Sequence, residues 1–501
     1  MRYMDLGSIL RRAASNHPSR PMLHWRDTTW TFARVFDQAS AFAEELSARE
    51  VVPGERVVLC LRNRPEYVVA LFGCALAGAV PVPTNYRFSA ADIRHVLADT
   101  GARFGVIDEA TAGYRLVDDP AGHWIVAGDA LTPGGGRWSR FDRFRGSTGG
   151  GRRPELIDDD EPGAVHYTSG STAKPKGVVR SHGSNAAIAL GSLERLPMRR
   201  GDVWGLLLPM HSAGIYGVLL AAVMAGNPVV VADYDADSVG HLVERHRVTH
   251  LAMGPTMYYG AARSLAAADT RSVRYAVWGG MPPNNRATRA LEPVLPVPVL
   301  GAFGMTEATS ISYSTPEIYA SGRIASSGYP ISSMAFTVIG PDGEPLGPGQ
   351  PGELLVRGAA GFTEYLNQPR LTAEVLRDGW IHTGDRGWLD GDGALTVTGR
   401  LSGMIISGNE NISPEEIETV IAEMPGVEQV AVVGRPSDRW GQEVCAFVVA
   451  DHRATPSGVQ EYCRGHLARY KVPKRVFLID DLPKDPQGKV QKKLLVGRDR
   501  S

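Results

Sequence analysis

Residues 167–177 read YTSGSTAKPKG, between AVH and the run VVRSHG. Five side chains there carry hydroxyls and two are lysines. Backbone N–H groups of a glycine-containing turn, helped by serine and threonine hydroxyls, can wrap phosphate oxygens without steric conflict. A lysine supplies the compensating charge. On that reading Thr168, Ser169, Ser171 and Thr172 donate, Gly170 permits close approach, and Lys176 neutralises. The stretch is not the G-x-x-x-x-G-K-[ST] phosphate loop, because GSTAKPKG does not supply that spacing. A solvated basic linker has the same composition, so these residues alone leave both readings open.

A loop holds phosphate only if regular elements fix its ends. Helical patterns followed by short apolar strands recur along the chain: EYVVALFGCALAGAV then PVPTN, ADIRHVLADTG then ARFGVID, DADSVGHLVERHRVTH then LAMGPT. That alternation predicts an α/β architecture with largely parallel sheets. Glycine, arginine and acids dominate residues 131–161 and apolar periodicity vanishes, which predicts a surface loop. Near residue 400 the pattern changes. GELLVRG and GALTVTGR read as strands joined by turns, and SPEEIETVIAEMPG reads as a helix with Ser413 as N-cap, Pro414 in the first turn and Glu416 closing a capping box. VEQVAVVGR and EVCAFVVA follow as strands. The expected division is a domain over 1–401 and a compact α+β domain over 402–501, with a hinge at 402.

Bulk properties narrow the function. A chain of 501 residues exceeds the size at which single cores split. A formal net charge of −1 argues against nonspecific nucleic-acid binding, which needs a basic surface. Cys60, Cys74, Cys445 and Cys463 form no zinc spacing and read as reduced, buried thiols of a cytoplasmic protein. The N-terminal stretch has no signal-peptide core, and the longest apolar runs are broken by glycine or proline before they could span a membrane.

YTSGSTAKPKGVVRSH resembles the signature loop of the adenylate-forming superfamily: acyl- and aryl-CoA synthetases, peptide-synthetase adenylation domains and beetle luciferases. LPMHSAG, WGGMPP, GAFGMTEAT, GELLVRG, HTGDRGWLDGDGALTVTGR, MIISGNENISPEEIE and PKDPQGKVQKKLL follow in that family's order, so the resemblance covers nearly the whole chain. It implies an α/β fold: a large N-terminal domain of stacked α/β subdomains and a small α+β C-terminal lid. It also implies two steps. A carboxylate attacks the α-phosphate of MgATP to give an acyl-adenylate and pyrophosphate; a thiol, usually of coenzyme A, then displaces AMP. Because the first step sets anion against anion, positive charge must gather at the α-phosphate.

The resemblance also implies roles for particular residues. Thr306 would contact phosphate and Glu307 would hold Mg²⁺, a cation that prefers oxygen ligands. Gly280, Met281, Ala302 and Phe303 would form the adenine slot, with Phe303 where the family commonly has tyrosine. Asp385 would accept from the ribose hydroxyls, Arg400 would reach ribose or phosphate, and Val397 would flank the base. Lys489 would reach in from the lid during adenylation, and His211 would stand at the acyl-pocket mouth. Trp440 would stack on the coenzyme A adenine, with Lys471, Lys474 and Arg475 for its phosphates. The acid would meet Tyr216, Trp278, Met305 and Thr309 beside His211 and Phe303. The bulk of Trp278 and Tyr216 favours an aryl or short acid over a long acyl chain.

Three departures stand out: Ala173 replaces a glycine, Ser402 and Gly403 replace a charged hinge residue and an aspartate, and Asn409 replaces a glycine beside the expected pantetheine path. Ala173 leaves ATP binding in place, Gly403 leaves lid rotation possible while its charged control is lost, and Asn409 puts coenzyme A in question. The leading expectation is an ATP-dependent carboxylate–CoA ligase in secondary metabolism, with the homodimer kept open. The rival enzyme reading keeps ATP and changes the acceptor: a carrier-protein thiol, an amine, or nitrite in a diazotase acting on aryl amines. A non-catalytic nucleotide-binding scaffold is disfavoured by the joint presence of Lys176, Glu307, Asp385, Arg400 and Lys489.

Overall fold

The structure, a computed structural model, describes residues 4–112, 123–128, 138–141, 157–168, 175–279, 291–407, 410–437, 441–467, 471–485 and 489–497. By packing, the described chain forms two compact units. One takes the residues before 284 together with 291–336 and 356–381; the other takes 337–355 and everything from 382 onward.

Within the first unit the expected helix–strand alternation is realised. Every residue of the helix Pro65–Leu76 except Glu66 is buried, so the helix lacks a polar stripe and runs inside the unit against the helices Leu6–Asn16 and Phe32–Ala48. The strand Val80–Pro83 follows it in a five-stranded parallel sheet ordered Val80–Pro83, Arg56–Cys60, Phe104–Asp108, His123–Ala127, Trp138–Arg140. The helix Ala90–Thr100 ends at Gly101, whose φ of +64° no β-carbon-bearing residue adopts cheaply. The strand Trp138–Arg140 corrects the expectation of a structureless loop over 131–161. The segment's aromatics outweigh its glycines there: Phe141 is buried and stacks on Phe42 at 5.5 Å. The rest of that loop, at 131–137 and 142–156, lies outside the described residues.

A nine-stranded sheet forms the other large layer. Its centre is parallel, from Val299–Met305 through Tyr275–Gly279, His250–Met253, Trp204–Leu206 and Val229–Val231 to Pro21–Trp25. Its edges are antiparallel: Ala308–Tyr313 and Tyr329–Pro330 on one side, Thr28–Thr31 on the other. The hairpin Pro162–Thr168 with Lys176–Ser181 makes a third, smaller sheet, completed by Glu364–Tyr365.

In the second unit, strands Val427–Ser437 and Gly441–Ala450 pair over their full length, and Arg475–Leu478 adds in parallel. One face of that sheet packs on the helices Pro414–Ala422 and Pro456–His466, the other on the helix Lys492–Val496. Ser413 is the N-cap of Pro414–Ala422, as expected, but the capping box does not form. Its hydroxyl instead donates to the Glu415 carboxylate at 2.9 Å, and Glu416 is held by Lys471 at 2.6 Å. The ammonium outbids a backbone N–H for that carboxylate.

Candidate functional site

The two ends of the signature loop are set by hairpin register. Thr168 and Lys176 are direct partners at the loop end of the hairpin. Ser169, Gly170, Ser171 and Thr172, with Ala173, lie outside the described residues. Side chains alternate across a strand. Val165, Tyr167 and Val179 therefore go into the apolar core with Leu366, while Thr168, Lys176, His166 and Arg180 share the opposite face.

Thr306 and Glu307 fill the two-residue turn between Val299–Met305 and Ala308–Tyr313. Glu307 is thus a turn residue in a tight hairpin, half-buried, with its carbonyl accepting from Phe362 N–H at 2.7 Å. Its carboxylate accepts from the Tyr365 hydroxyl at 2.5 Å. The Lys176 ammonium lies 5.8 Å from the centre of the Tyr365 ring, a cation–π distance. Lys176 and Glu307 therefore flank one tyrosine. The sequence reading gave Tyr365 no role; no local motif marks it, and only the pairing Tyr365↔Val178 brings it here.

Ala302 and Phe303 are half-buried at the C-terminal end of a parallel strand, and Ala302 sits beside Gly279 on the neighbouring strand. Carboxyl ends of parallel strands are where α/β sheets leave room for ligands. Gly280 and Met281 lie outside the described residues.

His211 precedes the helix Ala213–Met224 and meets the Tyr86 ring edge-on at 5.7 Å. Burial, then the Arg87 charge, pushes its pKa down to about 3, so it is neutral at physiological pH. Tyr216, on that helix, meets His166 edge-on at 4.5 Å. Both are wholly buried; among the described residues the Tyr216 hydroxyl has no hydrogen-bond partner, and the polar neighbour of the His166 ring is the His211 backbone. Burial, then Arg180, pushes His166 to about 3 as well. A neutral imidazole offers one donor and one acceptor, and buried polar groups in proteins are nearly always satisfied. His166 was missed in the sequence although it stands two residues before Thr168, on the same strand face. Trp278 corrects the expected pocket: it lies in the apolar core with Met253, Tyr258 and Leu291 and does not carry the short-pocket argument.

In the second unit Asp385 and Arg400 are direct cross-strand partners, joined at 2.8 Å. Arg400 also donates to the Thr383 carbonyl, and Asp385 is 6% exposed, so a buried carboxylate is presented beside an exposed guanidinium. Val397 is buried on the same strand as Arg400. Lys489 is exposed, and its backbone N–H donates to the Asp485 carboxylate at 2.9 Å. Of its neighbours, Lys484 pairs with Asp481 and Lys492 with Glu418. Arg475 pairs with Glu443 at 2.8 Å, Lys474 donates its N–H to the Val444 carbonyl, and Trp440 lies outside the described residues, as does Asn409.

With this geometry in place, comparison with known proteins is direct. The family model described as AMP-binding enzyme matches residues 10–366, and that of the AMP-binding enzyme C-terminal domain matches 416–489. The chain belongs to the AMP-binding enzyme family, whose adenylate-forming members its motifs resemble. Feruloyl-CoA synthase of an Amycolatopsis species is 35% identical over 507 residues, 98% of each chain. The o-succinylbenzoate CoA synthetase of Bacillus subtilis, solved with its acyl-adenylate intermediate, is 28% identical, covers 100% of this chain and 99% of its own, and superposes with a TM-score of 0.88. The same enzyme with ATP and magnesium ion gives 0.85 at 28% identity, covering 97% and 98%.

Proposed function

We propose that this chain is an ATP-dependent carboxylate–CoA ligase that activates an aryl or short acid. It is an AMP-forming acid–thiol ligase: the acid carboxylate attacks the α-phosphate, pyrophosphate leaves, and coenzyme A sulfur displaces AMP from the acyl-adenylate. The observation that carries the reading is the Lys176–Tyr365–Glu307 arrangement beside Thr168 and Thr306. It puts an ammonium and a carboxylate on one tyrosine, with Thr168 across the hairpin from Lys176 and Thr306 next to Glu307. Glu307 would hold Mg²⁺, which supplies charge neutralisation on the nucleotide tail when bound with ATP. Thr168, Lys176 and Thr306 bind and orient phosphate. Asp385 is assigned to the ribose hydroxyls, Arg400 to ribose or phosphate, and Ala302, Phe303 and Val397 to adenine.

Lys489 is assigned to the α-phosphate, delivered by a lid over 402–501 that swings at Ser402–Gly403. Gly403 lowers the torsional cost of that swing. Lys474 and Arg475 are assigned to coenzyme A phosphates, with Arg475 releasing Glu443 as it binds. For the acid, Tyr216 and His166 supply a polar end-wall suited to an aryl ring bearing a hydrogen-bonding substituent. Four buried free thiols suit the cytoplasm, and an aryl acid suits secondary metabolism.

A substrate-panel pyrophosphate assay tests the reading, with coenzyme A, a carrier-protein thiol, or nitrite plus an aryl amine as alternative additions. A coenzyme A thioester of an aryl or short acid is expected. AMP release that requires nitrite, or turnover fastest with palmitate and absent with benzoates, would overturn it.

A further inference from the structure

We propose that Arg180 is a positioning residue for the metal-binding turn: its buried guanidinium fixes where Thr306 and Glu307 stand relative to Lys176. The proposal rests on the assignment of Glu307 to Mg²⁺ made above.

Arg180 lies four residues after Lys176 on the same strand face and is 1% exposed. Arginine carries five N–H donors in a rigid planar fork. All five are used. Nε donates to Asn185 Oδ1 at 3.2 Å; one terminal nitrogen donates to the Thr306 carbonyl at 3.2 Å and Thr309 Oγ1 at 3.1 Å; the other donates to the Ala360 carbonyl at 3.1 Å and Ser184 Oγ at 3.5 Å. One side chain thus ties the hairpin to the helix His182–Arg195, to Thr306 in the turn and Thr309 just after it, and to the chain segment that leads to Tyr365. The Thr309 hydroxyl passes the constraint on by donating to the Met305 carbonyl at 3.1 Å.

A structural arginine is usually buried against a carboxylate, because an unpaired cation in low dielectric is expensive. Here the acceptors are carbonyl, amide and hydroxyl oxygens, and the carboxylate whose charge favours the cation is Glu307. Burial outweighs that help and pushes the guanidinium pKa down to about 9. With every donor engaged, Arg180 has none left for a ligand, so it acts through the turn. The turn's outer side is held separately by Phe362 N–H and the Tyr365 hydroxyl. Loss of Arg180 therefore frees the inner side while the hairpin keeps its outer ties, and Glu307 is displaced from Lys176.

The test measures ATP binding by full-length protein as a function of Mg²⁺ concentration, by calorimetry, which needs neither acid nor coenzyme A. Arg180→Lys keeps the charge and loses the fork. It is expected to raise half-saturating Mg²⁺ by about tenfold or more, the range for groups that support a metal ligand, in a protein that melts at a lower temperature, because lysine leaves acceptors of the fork unpaired, but that is still folded at the temperature of the titration. Thr309→Val, which keeps Arg180 and removes one acceptor, shifts it in the same direction by less. In a Glu307→Gln background, Arg180→Lys adds less than about twofold, because coupled positions are not additive. An unchanged Mg²⁺ dependence in Arg180→Lys, or full multiplication of the two effects in the double variant, overturns the proposal. A Glu307→Gln protein with wild-type Mg²⁺ dependence overturns it together with the Glu307 assignment. Failure of the ligase reading shows differently: MgATP binds with these dependences, yet no acid yields a thioester.

Discussion

Lys484, Lys489, Lys492 and Lys493 crowd ten residues of sequence, and carboxylates separate them. Lys484 and Lys492 are held by Asp481 and by Glu418, whereas no described carboxylate lies within ion-pair distance of Lys489. An ammonium without a fixed counter-charge can be spent on a phosphate; Lys493 has none among the described residues either, so it is the Gly-Lys placement in PKDPQGKVQKKLL that selects Lys489. Lys489→Ala should slow adenylate formation by about 10²–10³-fold, the size of losing one transition-state donor. Thioester formation from supplied acyl-adenylate should stay within a few-fold. Pyrophosphate release and thioester formation, assayed apart, check this; equal loss in both steps would count against the role. At the acid end, Tyr216→Phe removes a hydroxyl with no partner among the described residues, so stability should hold. What should fall, by about five- to tenfold in kcat/KM, is use of an aryl acid with a ring hydroxyl or amine, the worth of one hydrogen bond. The unsubstituted acid is the control and should change by less than about twofold.

Among the elements, the hairpin carrying Thr306 and Glu307 depends on one glycine. A β-carbon on Gly304 would stand 2.2 Å from the Ser310 backbone nitrogen, where the register shifts between Phe303 and Met305. Ser310 itself takes a φ of +51°, so the partner strand already absorbs the irregularity. Gly304→Ala should cost about 1–3 kcal/mol of stability, as overpacking does, and should raise half-saturating Mg²⁺ by moving Glu307; thermal melting and calorimetry read the two separately. The glycine was visible in GAFGMTEAT, but its reason was not, because register shifts leave no trace in composition. Alternation of helix and strand was legible because 3.6- and 2-residue periods differ. Trp278 misled because a strand buried on both faces shows no alternation to say which face a side chain takes. Tyr365 was invisible for a third reason: a two-residue strand nearly 190 positions from its partner Val178 carries no local signal.

Over the first unit as a whole, the described residues include neutral imidazoles whose folded pKa values lie far below 6.5. His166 and His211 both fall to about 3, chiefly through burial. The unfolded chain then binds more protons than the folded one between pH 6.5 and 3, so stability rises with pH through that window and is complete above it. For His166, wholly buried, a folded value near 3 against 6.5 unfolded amounts to about 2 kcal/mol lost by pH 5. Most carboxylates contribute their acid lability below pH 5; Glu418 of the second unit, which burial raises to about 7, acts in the opposite sense over the same range, so it is the difference between wild type and a histidine variant that isolates the imidazole. Denaturant titrations across that range should show stability falling as pH falls, and His166→Gln, which keeps a donor and an acceptor but cannot titrate, should flatten the slope. A variant with the wild-type slope would mean that His166 takes up its proton in the folded unit, and the buried polar end-wall assigned to the acid would have to be open to water.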